Sequence, residues 1–198
     1  SMNKSLDPNK IIHSNNYLSF WVKKESILNG KLTTGVINEY YDILEHPEKK
    51  YGKTAAMPIY ESLEAEIGKV DTEALKRNRQ WILDHIFCIE SLDKNIDLRK
   101  KDYLKIFFEA DREVYRREGN RYLIPNIYNS NQYNVIVKGK TYGLPDNNQG
   151  MNAKKPFLSI KTRKSAAPYL LEKEDAILQK QFFDYLMNFA AVGEFNIY

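Results

Sequence analysis

Residues 33–45 read TTGVINEYYDILE, and this stretch shows the helical pattern that recurs in the first part of the chain. Thr33 or Thr34 provides an N-cap hydroxyl, and His46-Pro47 ends the pattern because proline cannot continue a helical hydrogen-bond ladder. The apolar residues at spacings of three and four are Val36, Ile37, Tyr40, Ile43 and Leu44. This spacing predicts an amphipathic helix that packs one face against a core.

Three further helices are predicted outward from this stretch. One runs from about residue 58 to 67 and ends at Gly68, and the next runs from a cap at Asp71 or Thr72 to about residue 92. A fourth is expected over residues 102–118, with Gly119 as its stop. The buried side of this fourth helix is expected to carry Leu104, Phe107, Phe108, Val114 and Tyr115.

Extended segments are predicted in two places. Residues 15–23, NNYLSFWVK, are rich in aromatic and β-branched side chains and favour a strand. Residues 121–128 and 133–142 have the same character on either side of Asn129-Ser-Asn131, and together they predict a hairpin, with Gly139 allowing a bend. The expected fold class is therefore α+β, mainly helical with a small antiparallel β-hairpin or sheet.

A final helix is predicted after residue 171. Glu172, Glu174 and Asp175 place negative charge at its first turn, where the helix dipole favours it. Its expected apolar face consists of Ile177, Leu178, Phe182, Tyr185, Leu186 and Phe189. Because no boundary divides the 198 residues, one domain over residues 1–198 is expected, as a piece of a longer protein.

Composition limits the classes of function. The single cysteine, Cys88, excludes an internal disulfide and a thiolate zinc site, and its place among apolar neighbours predicts a buried thiol. No run approaches about 18 uninterrupted apolar residues, as a transmembrane helix requires. We expect a soluble cytoplasmic protein without a membrane partner.

The positive charge of the chain is concentrated between Gly150 and Leu171. This stretch contains five basic residues and no acidic residue, although the net charge of the whole chain is only +4. Such a local excess suits phosphates, and the neighbouring amides suit base edges. The predicted nucleic-acid-binding residues are Asn147, Asn148, Gln149, Asn152, Lys154, Lys155, Lys161, Arg163 and Lys164. The alternative is an exposed loop that is merely solvated.

Other candidate chemistry is weaker. His13, His46 and His85 lack a pair at metal or relay spacing, and acidic residues two apart on a helix point away from each other. No catalytic residue, metal site or cofactor is therefore expected. Arg112 and Arg116 are four apart and could face a phosphate backbone, but neighbouring acids could pair with them instead.

Several stretches resemble the large subunit of type I-B CRISPR interference (Cascade) complexes, of the Csh-type family. They are NNYLSFWVK at 15–23, YYDIL at 40–44, YLKIFFE at 103–109, NRYLIPNIYN at 120–129, and GLPDNNQGMNAKKPFL with KTRKSAAPYLL at 143–171. The resemblance implies a subunit without covalent chemistry. Such a subunit binds target DNA at a short flanking motif within a guide-RNA complex, contacts other subunits and presents a surface to a nuclease-helicase.

The function expected from the residues and from this resemblance is antiviral defence through non-enzymatic DNA binding. The cations would contact phosphates and the amides would contact bases, because phosphate contacts fix register and base contacts specify sequence. The alternative is a protein-interaction scaffold that docks neighbouring subunits or the nuclease-helicase without touching nucleic acid. Cations at phosphates serve DNA and RNA equally, so the choice between target DNA and guide RNA stays open.

Overall fold

Helices predominate in the structure, as the apolar spacing predicts. The computed structural model describes residues 5–128, 134–145 and 170–194. Within these residues the chain forms eight α-helices and five strands in two antiparallel sheets, which confirms the predicted fold class. The chain forms two compact units, Ser1–Leu123 and Ile124–Tyr198, each with its own cluster of buried apolar residues. The expectation of a single domain over residues 1–198 stays a prediction.

The first unit combines a two-stranded sheet with seven described helices. The strands are β1 (Ser19–Lys23) and β2 (Tyr103–Phe107). The helices are α1 (Lys24–Leu28), α2 (Thr34–Glu45), α3 (Glu48–Tyr51), α4 (Met57–Ile67), α5 (Thr72–His85), α6 (Ile89–Leu92) and α7 (Arg112–Leu123). The second unit contains β3 (Val135–Val137), β4 (Lys140–Gly143), β5 (Leu171–Glu172) and α8 (Lys173–Ala191).

Side-chain caps begin the helices where the sequence predicts them. Thr33 Oγ1 accepts a hydrogen bond from the Val36 amide at 3.2 Å, and Asp71 Oδ1 accepts one from the Ala74 amide at 3.0 Å. Gly68 ends α4 with φ +83°, a conformation that glycine adopts without strain. These contacts confirm the predicted starts of α2 and α5 and the predicted end of α4.

The prediction of a helix over residues 102–118 is wrong in its first half. Residues 103–107 instead form β2, which pairs antiparallel with β1 in the register Val22↔Leu104. Leu104 is buried while Tyr103, Lys105 and Phe107 are exposed, and this period of two is that of a strand. Pairing with β1 thus overrides the helical spacing of the apolar residues.

The helix that does form in this region begins later and ends later than predicted. It begins at Arg112, and Gly119 does not stop it, since α7 continues to Leu123. A glycine inside a helix is tolerated at a cost of about 1 kcal/mol relative to alanine, so it need not end one. The prediction of a stop at Gly119 is therefore wrong.

The predicted hairpin lies partly elsewhere. Residues 121–128 do not form its first strand, because α7 extends into them and a 3₁₀ turn follows at Ile124–Asn126. The hairpin consists of β3 and β4, joined at Lys138 and Gly139, which both have positive φ. Two positive φ values characterise the type I′ turns that join paired strands, so the predicted bend at Gly139 is confirmed. Asn129-Ser-Asn131 lies outside the described residues.

The predicted helix after Asp71 is interrupted. Its regular part ends at His85, a 3₁₀ turn covers Ile86–Cys88, and α6 follows. This change of period turns Phe87 and Cys88 outward, so both side chains are exposed. The prediction of a buried thiol at Cys88 is wrong for this reason.

Tyrosines form much of the core of the first unit. Those that are almost completely buried are Tyr17, Tyr40, Tyr41, Tyr51, Tyr60 and Tyr122. Three of these hydroxyls donate to backbone oxygens, Tyr40 to Asn16 O at 3.1 Å, Tyr122 to Leu44 O at 2.5 Å and Tyr51 to Tyr122 O at 3.5 Å. Because buried polar groups are costly unless they are paired, these bonds allow tyrosine to serve as a core residue.

Helix α8 confirms the predicted final helix but not a buried apolar face. It begins after Glu172, with Glu174 and Asp175 in its first turn. Three of its predicted face residues are exposed over more than half of their surface: Leu178 at 64%, Phe182 at 55% and Tyr185 at 57%. The apolar stripe of α8 is therefore largely a surface within the part of the chain that the structure describes.

Candidate nucleic-acid interface

The two ends of the basic segment are joined by strand pairing. Strands β4 and β5 pair antiparallel in the register Gly143↔Leu171 and Tyr142↔Glu172. Pro145 forms a further bridge with Tyr128. The chain therefore leaves β4 and returns beside it, which brings the ends of the segment together on one small sheet.

The predicted contact residues themselves lie between these ends. They are Asn147, Asn148, Gln149, Asn152, Lys154, Lys155, Lys161, Arg163 and Lys164, and all nine lie outside the described residues. Their assignment to nucleic acid stays a prediction. The structure describes the strands on either side of them, and we call the paired strands β4 and β5 the base of the basic segment.

Tyr128 stabilises the paired strands β4 and β5 through its hydroxyl. Its buried hydroxyl lies 3.1 Å from the carbonyl oxygen of Leu171 and 3.2 Å from that of Thr141, so one proton serves carbonyls on both sides of the β4–β5 pair. Burial raises the pKa of the Tyr128 hydroxyl to about 12. The hydroxyl therefore remains a donor throughout the neutral pH range.

Gly143 is required where β4 passes over the Tyr128 ring. A Cβ atom built on Gly143 would lie 2.5 Å from Tyr128 Cγ and 2.5 Å from Asn134 Oδ1. The sequence suggests that Gly143, with Gly150, permits close approach of the backbone to nucleic acid. In the structure the space beside Gly143 is filled by Tyr128, so its small size serves packing.

A cross-strand ion pair lies at the same base. Lys140 Nζ is 2.8 Å from Glu172 Oε2, and the Tyr142 hydroxyl donates to the same oxygen at 3.4 Å. The hydrogen bond from Lys140 lowers the pKa of the Glu172 carboxyl below its ordinary value. Lys140 is thus already paired with an acid, whereas Lys161, Arg163 and Lys164 have no acidic neighbour in sequence.

Three of the four arginines of α7, Arg116, Arg117 and Arg121, form ion pairs. Arg116 Nη2 lies 2.5 Å from Glu113 Oε2 on the surface, and Arg117 Nε lies 3.0 Å from Glu118 Oε1. Arg121 is fully buried and cannot reach a nucleic acid. The sequence also allows Arg112 and Arg116 to form a phosphate-binding face. The pairing of Arg116 with Glu113 argues against that alternative.

Arg121 instead links two helices inside the first unit. Its Nε and Nη2 atoms lie 2.8 Å and 3.1 Å from the two oxygens of buried Glu118. On α4, Glu64 lies 3.9 Å from Arg121 Nη1 and accepts from the Tyr60 hydroxyl. Burial alone would lower the pKa of Arg121, but the hydrogen bonds and charge of Glu118 raise it above its ordinary value. This network is a buried structural ion pair.

A second cationic surface lies on the outer face of the β1–β2 sheet. Its exposed rings are Tyr103 and Phe107, 42% and 59% exposed, with Lys105 between them on the same strand. Lys105 Nζ stands 4.9 Å from the centre of the Trp21 ring on β1, within the range of a cation–π contact. This face therefore combines free aromatic edges with positioned positive charge.

The sequence did not reveal this surface, because residues 102–118 were predicted as one helix. A helix would have placed Tyr103 and Phe107 on the same side as the core residues. Only Lys105 is polar among residues 103–107, so the sequence does not alternate between polar and apolar side chains as a half-exposed strand would. The strand-like composition of residues 15–23 does not identify the partner strand.

The histidines have separate structural surroundings. His85 Nδ1 lies 2.7 Å from Trp81 O and the two rings stack, while His46 Nδ1 lies 3.4 Å from exposed Glu48. His13 meets Tyr103 edge-on at 5.2 Å, and burial followed by the charge of Lys23 lowers its pKa. Within residues 5–128, 134–145 and 170–194, no three His, Cys, Asp or Glu residues are grouped to hold a metal.

Among the helices of the described residues, none combines the length and the apolar character needed to cross a bilayer. Comparison with protein-family models, with curated proteins and with solved structures found no match.

Proposed function

We propose that this protein is a non-enzymatic DNA-binding subunit that uses residues 143–171 against target DNA. The observation that carries the proposal is the run of five cations without an acid between Gly150 and Leu171. The pairing of β4 with β5 supports it, because both ends of that run are tied to one sheet. A cationic segment with fixed ends loses less conformational entropy on binding than a free tail.

The basic side chains and the amide side chains contact different parts of the nucleic acid in this proposal. Lys161, Arg163 and Lys164 contact phosphates, where each cation releases condensed counterions and adds salt-dependent affinity. Asn147, Asn148, Gln149 and Asn152 contact base edges of a short motif that flanks the target, since amides both donate and accept hydrogen bonds.

The resemblance to the large subunit of type I-B CRISPR complexes supplies the proposed setting. In that setting the protein acts in antiviral defence in the cytoplasm, bound to a guide-RNA complex and its other subunits. A nuclease-helicase is a further proposed partner. Base pairing with the guide then reads the target sequence, while the protein reads only the flanking motif.

The test is duplex binding across a salt series by a variant with Lys161, Arg163 and Lys164 changed to alanine. We expect weaker binding and a slope of log affinity against log salt that is flatter by up to about three units. Lys53, Lys69 and Lys94 are exposed lysines elsewhere, and their triple alanine variant is the control with an equal loss of charge. Equal slopes for the two variants would contradict the assignment.

A scaffold function is the second candidate, and the exposed apolar stripe of α8 favours it. Leu178, Phe182 and Tyr185 are four and three residues apart, which places them on one face of the helix. In this alternative the face docks a neighbouring subunit. Leu178→Ser with Phe182→Ser should then prevent assembly with the guide-RNA complex and leave duplex binding unchanged, whereas normal assembly would exclude the stripe as a docking face.

A further inference from the structure

We propose that the outer face of the β1–β2 sheet, which we call the sheet face, is a binding site for single-stranded nucleic acid. The sheet face consists of Trp21 and Lys23 on β1 and Tyr103, Lys105 and Phe107 on β2. It lies in the first unit and shares no residue with the segment 143–171. The two proposals therefore stand on separate observations and can fail separately.

The spacing of the sheet face suits a row of unpaired bases. Residues two apart on a strand point to the same side and lie about 7 Å from each other, so Tyr103, Lys105 and Phe107 form one line about 13 Å long. The two rings at its ends are exposed, and the cation lies between them. Bases stack on exposed rings, and the phosphate between two bases meets a cation.

Neighbouring aromatic contacts hold this row in place before any ligand binds. The Trp21 ring supports the Lys105 ammonium at 4.9 Å and meets the Phe107 ring at a centroid distance of 6.0 Å. At the other end, the His13 ring meets the Tyr103 ring edge-on. Side chains that are already ordered lose less entropy when they bind a partner, so these contacts favour recognition.

The charge of the sheet face is unopposed. Among the described residues, Lys23 and Lys105 form no ion pair, and the outward positions of β1 and β2 carry no acidic side chain. Glu25, two residues after Lys23, lies on α1, and Asp102, which directly precedes β2, is paired with Lys24 at 2.8 Å. Two exposed lysines, Lys100 and Lys101, precede Asp102. The surface therefore fits an anionic partner.

The rings decide which anionic partner fits best. A duplex hides its bases in the stack and offers only phosphates, so it would gain nothing from Tyr103 and Phe107. An acidic peptide would meet the lysines but has no flat surface for the rings. A single strand offers phosphates and free base faces together, and exposed aromatic side chains bind such bases regardless of sequence.

The experiment measures binding of fluorescein-labelled dT20, rU20 and a 20-base-pair duplex to the whole chain and to two double variants. The ring variant, Tyr103→Ala with Phe107→Ala, keeps the charge, and we expect it to bind dT20 or rU20 at least about tenfold more weakly. The charge variant, Lys23→Gln with Lys105→Gln, keeps the rings and should flatten the salt slope by up to about 1.4 units for a single strand. Neither double variant should bind the duplex more than about twofold more weakly. The better ligand of dT20 and rU20 identifies DNA or RNA as the partner.

Matched controls distinguish the loss of this site from a general loss of exposed apolar side chains or of charge. Phe87→Ala with Leu92→Ala removes two exposed apolar side chains elsewhere, and Lys53→Gln with Lys69→Gln removes two exposed charges elsewhere. Both controls should bind single strands like the original chain. Fluorescence of Trp21 and Trp81 and the far-ultraviolet circular dichroism confirm that each variant is folded. Weaker binding by a control equal to that of its matched variant would overturn the proposal.

The remaining outcomes distinguish this proposal from the function assigned to residues 143–171. Unchanged single-strand binding by the ring variant, together with its loss in the variant lacking Lys161, Arg163 and Lys164, would overturn the sheet face and leave the other proposal standing. Displacement of dT20 by polyglutamate at equal charge concentration would show that the rings add nothing, and would also overturn it. Loss of single-strand binding in the ring variant, with duplex binding kept within about twofold, supports the sheet face, whereas equal loss of both would overturn it.

Discussion

The tyrosines in the core of residues 5–123 are buried, whereas two aromatic side chains of α8 are more than half exposed. Tyr40 and Tyr122 are completely enclosed in the first unit and pair their hydroxyls with backbone or side-chain oxygens. Phe182 and Tyr185 of α8 are more than half exposed. Buried aromatic area contributes to the stability of a fold, while exposed aromatic area is available to a partner. The same residue type thus serves stability in one region and contact in the other.

Two of the ion pairs of α7 show the same contrast between surface and interior within one helix. Both join a glutamate to an arginine three residues later, Glu113 to Arg116 on the surface and Glu118 to Arg121 in the interior. Solvent screens the first pair, whereas the second lies where an unpaired charge is very costly. Identical spacing in sequence therefore gives unequal contributions to stability.

The largest predicted effect comes from Glu118→Ala. This change removes the two close carboxylate contacts of buried Arg121 and leaves only Glu64, 3.9 Å away, so the free energy of unfolding should fall by about 3–5 kcal/mol. Urea denaturation followed by tryptophan fluorescence measures it, because Trp21 and Trp81 both lie in the first unit.

Glu113→Ala is the control on the same helix. It removes the exposed partner of Arg116 and should lower the free energy of unfolding by no more than about 0.5 kcal/mol. Replacing both members of the interior pair, Glu118→Gln with Arg121→Met, should cost less than Glu118→Ala alone. Similar losses for Glu113→Ala and Glu118→Ala would show that the interior pair is solvated in solution.

A smaller effect is expected when one leucine is shortened in the buried core and another in the exposed stripe of α8. Leu75→Ala on α5 removes a completely buried side chain and should lower the free energy of unfolding by about 2–5 kcal/mol. Leu178→Ala on α8 removes a side chain that is 64% exposed and should change it by less than about 0.5 kcal/mol. The same urea series compares them, with backbone circular dichroism added for α8. Equal losses would mean that the stripe of α8 is buried in solution.

The sequence allowed prediction of the helices whose signals are local. Thr33, Asp71 and Gly68 mark helix ends through contacts within a few residues, and each prediction is confirmed. The strand at residues 103–107 was missed because it depends on β1, about 80 residues earlier in the chain. A pairing over that distance leaves no local signature that distinguishes it from a helix with similar apolar spacing.

The two candidate sites also differ in whether their residues are close together in the sequence. The charge excess near Lys161 and Arg163 is visible in sequence alone, since it needs only a count of side chains. The sheet face needs the register Trp21↔Lys105, which brings the lysine of one strand over the ring of the other. Gly143 likewise packs against Tyr128, a contact that the sequence alone does not reveal.

A further loss of stability, smaller than that of Leu75→Ala, tests the base of the basic segment. Gly143→Ala places a Cβ atom 2.5 Å from the Tyr128 ring, and overpacking of this kind costs about 1–3 kcal/mol. We expect the cost to appear as faster hydrogen exchange of the Leu171 and Glu172 amides, because the ring can move only by loosening the β4–β5 pair. Gly35→Ala in α2 is the control, since its nearest neighbour would lie 3.6 Å away and alanine favours a helix. If Gly143→Ala exchanges like the original chain but weakens duplex binding, Gly143 faces the ligand after all. If exchange accelerates and binding weakens together, the β4–β5 pair is what holds residues 146–169 in position to bind.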